Sequence, residues 1–255
     1  MRKVMSIAVA GILALSFSRI DAQQASGAYM VPSDAPADIR RAVESRNRTE
    51  DQRARDAQRK PAEVMMLAGI GEGDRVIEFA SFGHYYTTML VEAVGPSGHV
   101  YMIDMPWTDR FGGEAARAFD AAHDNATYTQ VHYNDAQLPS NVDAALNVLF
   151  YHDMVRDNVD RTALNRKVFA ALKPGGIYLI IDHRAEDGSG WREAETIHRI
   201  GAEAIVNEVM SAGFELAQMS RLLANPNDDR SVPARDLGAR DISDRALLIF
   251  RKPGG

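Results

Sequence analysis

The chain has 255 residues, 45% apolar and 25% charged, which is ordinary for a globular protein and enough for one large α/β domain with a substantial core. Its formal net charge of -6 argues against a nucleic-acid binder dominated by phosphate contacts. No cysteine is present, so disulfides, cysteine-based zinc sites and a cysteine nucleophile are excluded.

Arg2 and Lys3 precede the apolar run Val4 to Phe17, and small residues follow near Ala22 and Ala25. This order reads as a secretory signal peptide over residues 1–22, with export to a periplasm or beyond. The run of 14 residues falls short of the roughly 20 that a membrane span needs, so no stable span is expected in the mature chain. An uncleaved anchor or a misassigned start codon is the alternative. Residues 23–60 read as a flexible lead and a charged helical arm. Ile39, Ala42 and Val43 fall on one helix face, and the charges are expected to be solvated.

Residues 61–255 form the main domain. Pro61 suits the first turn of a helix, PAEVMMLAGI, which GEGD ends. Strands are then expected over Val76–Ala80, Val100–Asp104, Tyr128–Tyr133, Ala145–Tyr151 and Ile177–Asp182. Helices are expected over Tyr85–Val94, Glu114–Ala122, Asp160–Leu172 and Ala202–Ala212. The tight turns GPSGH and KPGG join helix to strand. Apolar, β-branched strands alternating with helices imply an α/β fold with a doubly wound, mostly parallel sheet covered on both faces. Phe214–Leu223 and Arg245–Pro253 flank a polar loop and read as an antiparallel pair at the sheet edge. There is no internal repeat.

Ligands of open α/β sheets sit at the carboxyl ends of the strands. The residues expected there are Glu78 and the turn Ala80-Ser81-Phe82-Gly83-His84, then Asp104, then Asp135 in NDAQLP, then Tyr151-His152-Asp153, then Asp182-His183. A carboxylate at Asp104 can accept hydrogen bonds from both hydroxyls of a ribose.

Taken together, VIEFASFGHYYTTMLVEAVGPSGHVYMID, NDAQLP, NVLFYHD, LKPGGIYLIIDHRAEDGSG, IHRI and DRALLIFRKP resemble class I, S-adenosylmethionine-dependent methyltransferases, and more narrowly the exported group of predicted methyltransferases. The resemblance implies a Rossmann-like methyltransferase fold. It also implies methyl transfer from S-adenosylmethionine to a small-molecule acceptor. In that frame Glu78 closes the first strand near the methionine end of the cofactor, and Ala80, Ser81 and Gly83 pass beneath it. Asp104 holds the ribose, and Asp135 reaches the adenine amino group with Ala136 and Leu138 beside the ring. Tyr151, His152, Asp153 and His183 face the sulfonium and the acceptor, with His152 or His183 as the base.

The family turn typically carries three glycines, and the matching places hold Ala80, Phe82 and His84. The direction of the Phe82 ring therefore decides whether the turn can serve a cofactor, and His84 is expected to open the following helix. Two other readings stay open. One is an exported methyltransferase-like binding protein without catalysis. The other is a hydrolase built on Ser81, Asp153 and His183, although Phe79 stands where a nucleophile elbow needs a small residue. His152, Asp153, Asp182 and His183 are also candidate metal ligands, but the sequence expectation is His–carboxylate hydrogen bonding without metal. His198 is expected to begin a helix and to cap or pack.

Overall fold

The computed structural model describes residues 29–238 and 241–254; the expected signal peptide lies outside them. Four helices come first: α1 (Ala37–Glu44), α2 (Glu50–Arg53), α3 (Asp56–Arg59) and α4 (Pro61–Leu67). Ile39, Ala42 and Val43 are buried on α1, as their spacing predicts. The solvated arm is corrected, however. Arg48 is buried and donates to Asp56 Oδ1 at 2.5 Å and Oδ2 at 2.8 Å, while the Tyr85 hydroxyl donates to the same Oδ1 at 2.6 Å. Arg55 and Arg59 reach across to Asp241. The arm thus shares the core of the domain through paired charges.

The remaining elements are β1 (Arg75–Phe79), α5 (Thr87–Val94), β2 (His99–Asp104), α6 (Asp109–Ala122), β3 (Ala126–Gln130), β4 (Val142–Val148), α7 (Asp153–Arg156), α8 (Arg161–Ala171), β5 (Leu172–His183), α9 (Ala202–Ser211), β6 (Glu215–Ser220) and β7 (Arg245–Arg251). They build one seven-stranded sheet in the order β3-β2-β1-β4-β5-β7-β6. Pairings from β3 through β5 are parallel, and β7 runs antiparallel to both β5 and β6. The expected antiparallel edge pair is present, with β6 at the margin and β7 inserted inside it.

Alternate residues along the strands feed two apolar layers, so both faces are covered. Val76, Leu146 and Leu179 pack with Ile39, Val64 and Leu90 on one face. Ile77, Ala145 and Ile180 pack with Leu164, Ile205 and Phe250 on the other. Gly98 is required in the turn before β2, because a Cβ there would lie 2.5 Å from the Asp74 carbonyl oxygen. Among the described residues no helix is long and apolar enough to cross a membrane.

Several boundaries differ from the sequence expectation. β4 ends at Val148 and Leu149 turns with φ +58°, so Phe150 and Tyr151 leave the sheet. The KPGG segment belongs to β5, where the pairing with β4 shifts register between Val142 and Ala144. Helix α5 begins at Thr87, two residues later than its apolar pattern suggests.

Candidate active site

The turn after β1 puts two residues other than glycine in a backbone conformation that favours glycine. Ala80 (φ +58°) and His84 (φ +50°) both sit in the left-handed region, as does Gly83 (φ +87°). A non-glycine residue is costly there, on the order of 1–3 kcal/mol, and holds only when its surroundings fix it. Here the Ala80 N–H donates to the Ile103 carbonyl and the His84 N–H to the Ser81 carbonyl. His84 does not open the helix. It precedes α5, its ring lies 5.1 Å from Phe119, and burial lowers its pKa.

Two carboxylates lie under this turn. Glu78 is buried and accepts from Thr87 Oγ1 at 2.7 Å; burial pushes its pKa up to about 8. Asp104, at the end of β2, is 1% exposed. Its Oδ1 accepts from the Ser81 N–H at 2.6 Å and the Ser81 hydroxyl at 3.1 Å. The Phe82 N–H also faces the carboxylate, but no donor reaches the buried Oδ2 in good hydrogen-bond geometry. Burial raises its pKa to about 6 against the opposing pull of the Ser81 N–H and hydroxyl and of the Phe82 N–H.

The Phe82 ring lies over the sheet edge. It meets Phe150 at 6.1 Å and Phe111 at 6.2 Å, and Phe150 stacks on Trp107 at 5.7 Å. Trp107 follows β2 and Phe150 follows β4, so this aromatic group bridges three strand ends. Asp135 is exposed in the turn after β3, and Ala136 beside it is buried.

A second group of polar residues occupies the ends of β4 and β5. Asp182 is fully buried. Its Oδ1 lies 2.7 Å from His152 Nδ1, and its Oδ2 accepts from the His152 N–H at 2.7 Å. Burial alone would lower the His152 imidazole, but the charge and hydrogen bond of Asp182, with Asp153 behind them, leave its pKa raised. Beyond the ring, His152 Nε2 lies 3.7 Å from Asp153 Oδ2, and Asp153 Oδ1 lies 3.4 Å from His198 Nδ1.

His198 is the functional candidate that sequence reasoning missed. It does not begin a helix: it stands in a loop at φ +52°, and α9 starts four residues later at Ala202. His183 stands 5.7 Å from the His152 ring, but its Nδ1 pairs with Ser243 Oγ at 2.6 Å and burial lowers its pKa to about 3. It is therefore a neutral neighbour near pH 7. Tyr151 points away from this group. It is fully buried, donates to Glu208 at 3.0 Å and accepts from Asn165 at 2.8 Å in the packing of α8 and α9.

The hydrolase set is not assembled. The Ser81 hydroxyl is held by Asp104, His183 pairs with Ser243, and Asp153 faces His152, His198 and Arg156.

No protein-family model matches the sequence, and no curated protein does. Similarity appears among solved structures. A SAM-dependent methyltransferase from Aquifex aeolicus is 16% identical with a TM-score of 0.56, covering 78% of this chain and 93% of that one. The [4+2]-cyclase SpnF is 16% identical with a TM-score of 0.57, covering 90% and 100%. Aeropyrum pernix fibrillarin, in complex with natively bound S-adenosyl-L-methionine, is 14% identical with a TM-score of 0.50, covering 74% and 73%. The sheet order, the inserted antiparallel strand and these likenesses together show that the chain has the class I methyltransferase fold.

Proposed function

We propose that this protein transfers a methyl group from S-adenosylmethionine to a small-molecule acceptor. The observation that carries the reading is the unpartnered, buried Oδ2 of Asp104 at the end of β2. An orphaned acceptor at that depth is costly, about 1–3 kcal/mol, unless a ligand satisfies it. A ribose hydroxyl is the donor that this position in the fold would meet. The residues present therefore fit the cofactor. Asp104 would hold the ribose, Glu78 would lie near the methionine end, and Asp135 with Ala136 would stand beside the adenine.

S-adenosylmethionine supplies an activated methyl group, so positioning of the acceptor supplies much of the rate. On the acceptor side, His152, Asp153 and His198 form a polar group that can take up a proton, with Asp182 orienting His152. The Phe82 ring packs against Phe111 and Phe150 on the turn whose Ser81 holds Asp104.

An aromatic side chain at Phe82, where the family turn has glycine, favours a second reading, in which the fold is kept for binding without methyl transfer. A fold shared with a structure named as a cyclase does not by itself fix the reaction. Calorimetric titration with S-adenosylhomocysteine separates the readings: heat that Asp104→Ala abolishes supports cofactor binding, and no heat at millimolar ligand overturns it. Export, proposed on Arg2 to Phe17 alone, is checked by fractionating cells that express the full chain.

A further inference from the structure

We infer that His152, Asp153 and His198 bind a divalent first-row transition metal ion through His152 Nε2, the Asp153 carboxylate and His198 Nδ1. The inference rests on side-chain geometry and stands apart from the methyl-transfer reading. Ligand atoms of the three residues all lie within 4.8 Å of one another. A zinc-like ion with bonds of about 2.1 Å holds tetrahedral donors about 3.4 Å apart. One carboxylate oxygen of Asp153 lies 3.7 Å from His152 Nε2 and the other 3.4 Å from His198 Nδ1, so each ring has an oxygen near that distance.

Three features aim these atoms at one point. Asp182 takes the Nδ1 side of His152, which leaves the Nε2 lone pair directed at Asp153. A carboxylate behind a ligating histidine is the common support of metal-bound imidazole, fixing its tautomer and orientation. His198 is held at φ +52° beside Arg199, whose guanidinium is buried and bonds Asp228 through two nitrogens, the Arg184 carbonyl and the Val232 carbonyl. Ile200 then donates to the His183 carbonyl, tying the segment to the end of β5. A left-handed histidine fixed on both sides is backbone strain kept at a specific place.

Two of the three ligands also reach solvent. His152 is buried, but the side chains of Asp153 and His198 are 15% and 26% exposed. Three protein ligands with an open face are the arrangement that leaves positions for water or an acceptor oxygen. Two imidazoles and one carboxylate suit zinc, iron, cobalt or nickel and not magnesium or calcium. Arg156 Nη2, 3.3 Å from Asp153 Oδ1, is the charge that has to yield; its side chain is 42% exposed and can turn to solvent.

The test is uptake of Co2+, and its displacement by Zn2+, on untagged full-length protein stripped with chelator. One Co2+ per chain, with the visible absorption of a low-coordinate nitrogen-ligated centre, is expected. His198→Ala and Asp153→Ala should each weaken uptake by more than about 100-fold, and Asp182→Asn by about 10- to 100-fold. His99→Ala, at a histidine paired with Thr127 on another part of the sheet, should leave it unchanged. If His152→Ala does not fold, His198→Ala still decides, because its side chain borders solvent. The inference is overturned by the lack of saturable uptake at micromolar free ion, or by stoichiometry that survives both His198→Ala and Asp153→Ala. Failure to bind S-adenosylhomocysteine leaves this test unaffected.

Discussion

Ser81 holds one oxygen of Asp104 and leaves the other bare, with its N–H at 2.6 Å and its hydroxyl at 3.1 Å from the same Oδ1. The turn after β1 and the end of β2 are therefore one unit. A ligand that engages Asp104 also acts on the turn, and the turn carries Phe82.

The two buried carboxylates make stability depend on pH. Glu78 rises from an ordinary 4.5 to about 8 and Asp104 from 3.8 to about 6. Both folded values are raised, so the folded state binds more protons than the unfolded one between those limits. Their contribution is fully present below about pH 4 and is lost as pH climbs, through about 6 for Asp104 and about 8 for Glu78. Each group adds a slope of at most about 1.4 kcal/mol per pH unit. Urea midpoints at pH 5, 7 and 9 should fall for the native chain and fall less for Glu78→Gln. Parallel curves would remove Glu78 from this role.

Removing the Phe82 ring should open the carboxyl edge. Phe82→Ala is expected to cost about 1–2 kcal/mol, less than a fully buried phenylalanine, because the side chain is only partly buried. It should also tighten S-adenosylhomocysteine binding by about tenfold, or 1.4 kcal/mol. Calorimetry on the native chain and the variant checks this. Equal affinities would mean that the ring is not what closes the site.

The arm should prove integral to stability. Asp56→Ala leaves Arg48 buried without its charge partner and strips Tyr85 of its acceptor. A loss of about 3–5 kcal/mol in urea unfolding is expected. A change below 1 kcal/mol would mean that water reaches Arg48 readily, about the value of an exposed pair.

Arg199 should govern the order of the His198 loop. Arg199→Lys keeps the charge but loses the two-nitrogen grip on Asp228. Amide exchange at Ile200, which donates to the His183 carbonyl, should quicken in this variant while the exchange of β1 amides holds. Unchanged exchange at Ile200 would place the anchor elsewhere.

The parallel strands were legible because apolar runs such as Val76 to Phe79 and Val100 to Ile103 are buried on both faces. β4 was read three residues late, since the apolar run continues through Phe150 and Tyr151 after Leu149 has turned the chain out of the sheet. β3 was read late for the opposite reason: its residues are mostly exposed, and Tyr133 beyond it is fully buried. The first turns of α6 were missed because Gly112 and Gly113 interrupt the pattern. The carboxylates and histidines at the strand ends were visible from spacing. His198 was not, because a pair 29 residues apart in sequence, Arg199 and Asp228, brings it there and leaves no local signal. The charges of Arg48 and Asp56 read as solvent-facing for a similar reason: composition counts charges but does not show which of them are paired.

The place of β7 has a consequence for the order of assembly. Its residues 245–251 come after β5 and β6 in the sequence, yet they pair with β5 on one side and β6 on the other. Until that segment is available, β5 presents an apolar edge with unsatisfied backbone groups, and β6 has no neighbour to join. A chain emerging from amino to carboxyl end thus carries a sticky half-sheet until Arg245–Arg251 has emerged. A truncation before Arg245 would remove the strand that joins two others, and it should give aggregation where loss of a true margin would give only fraying.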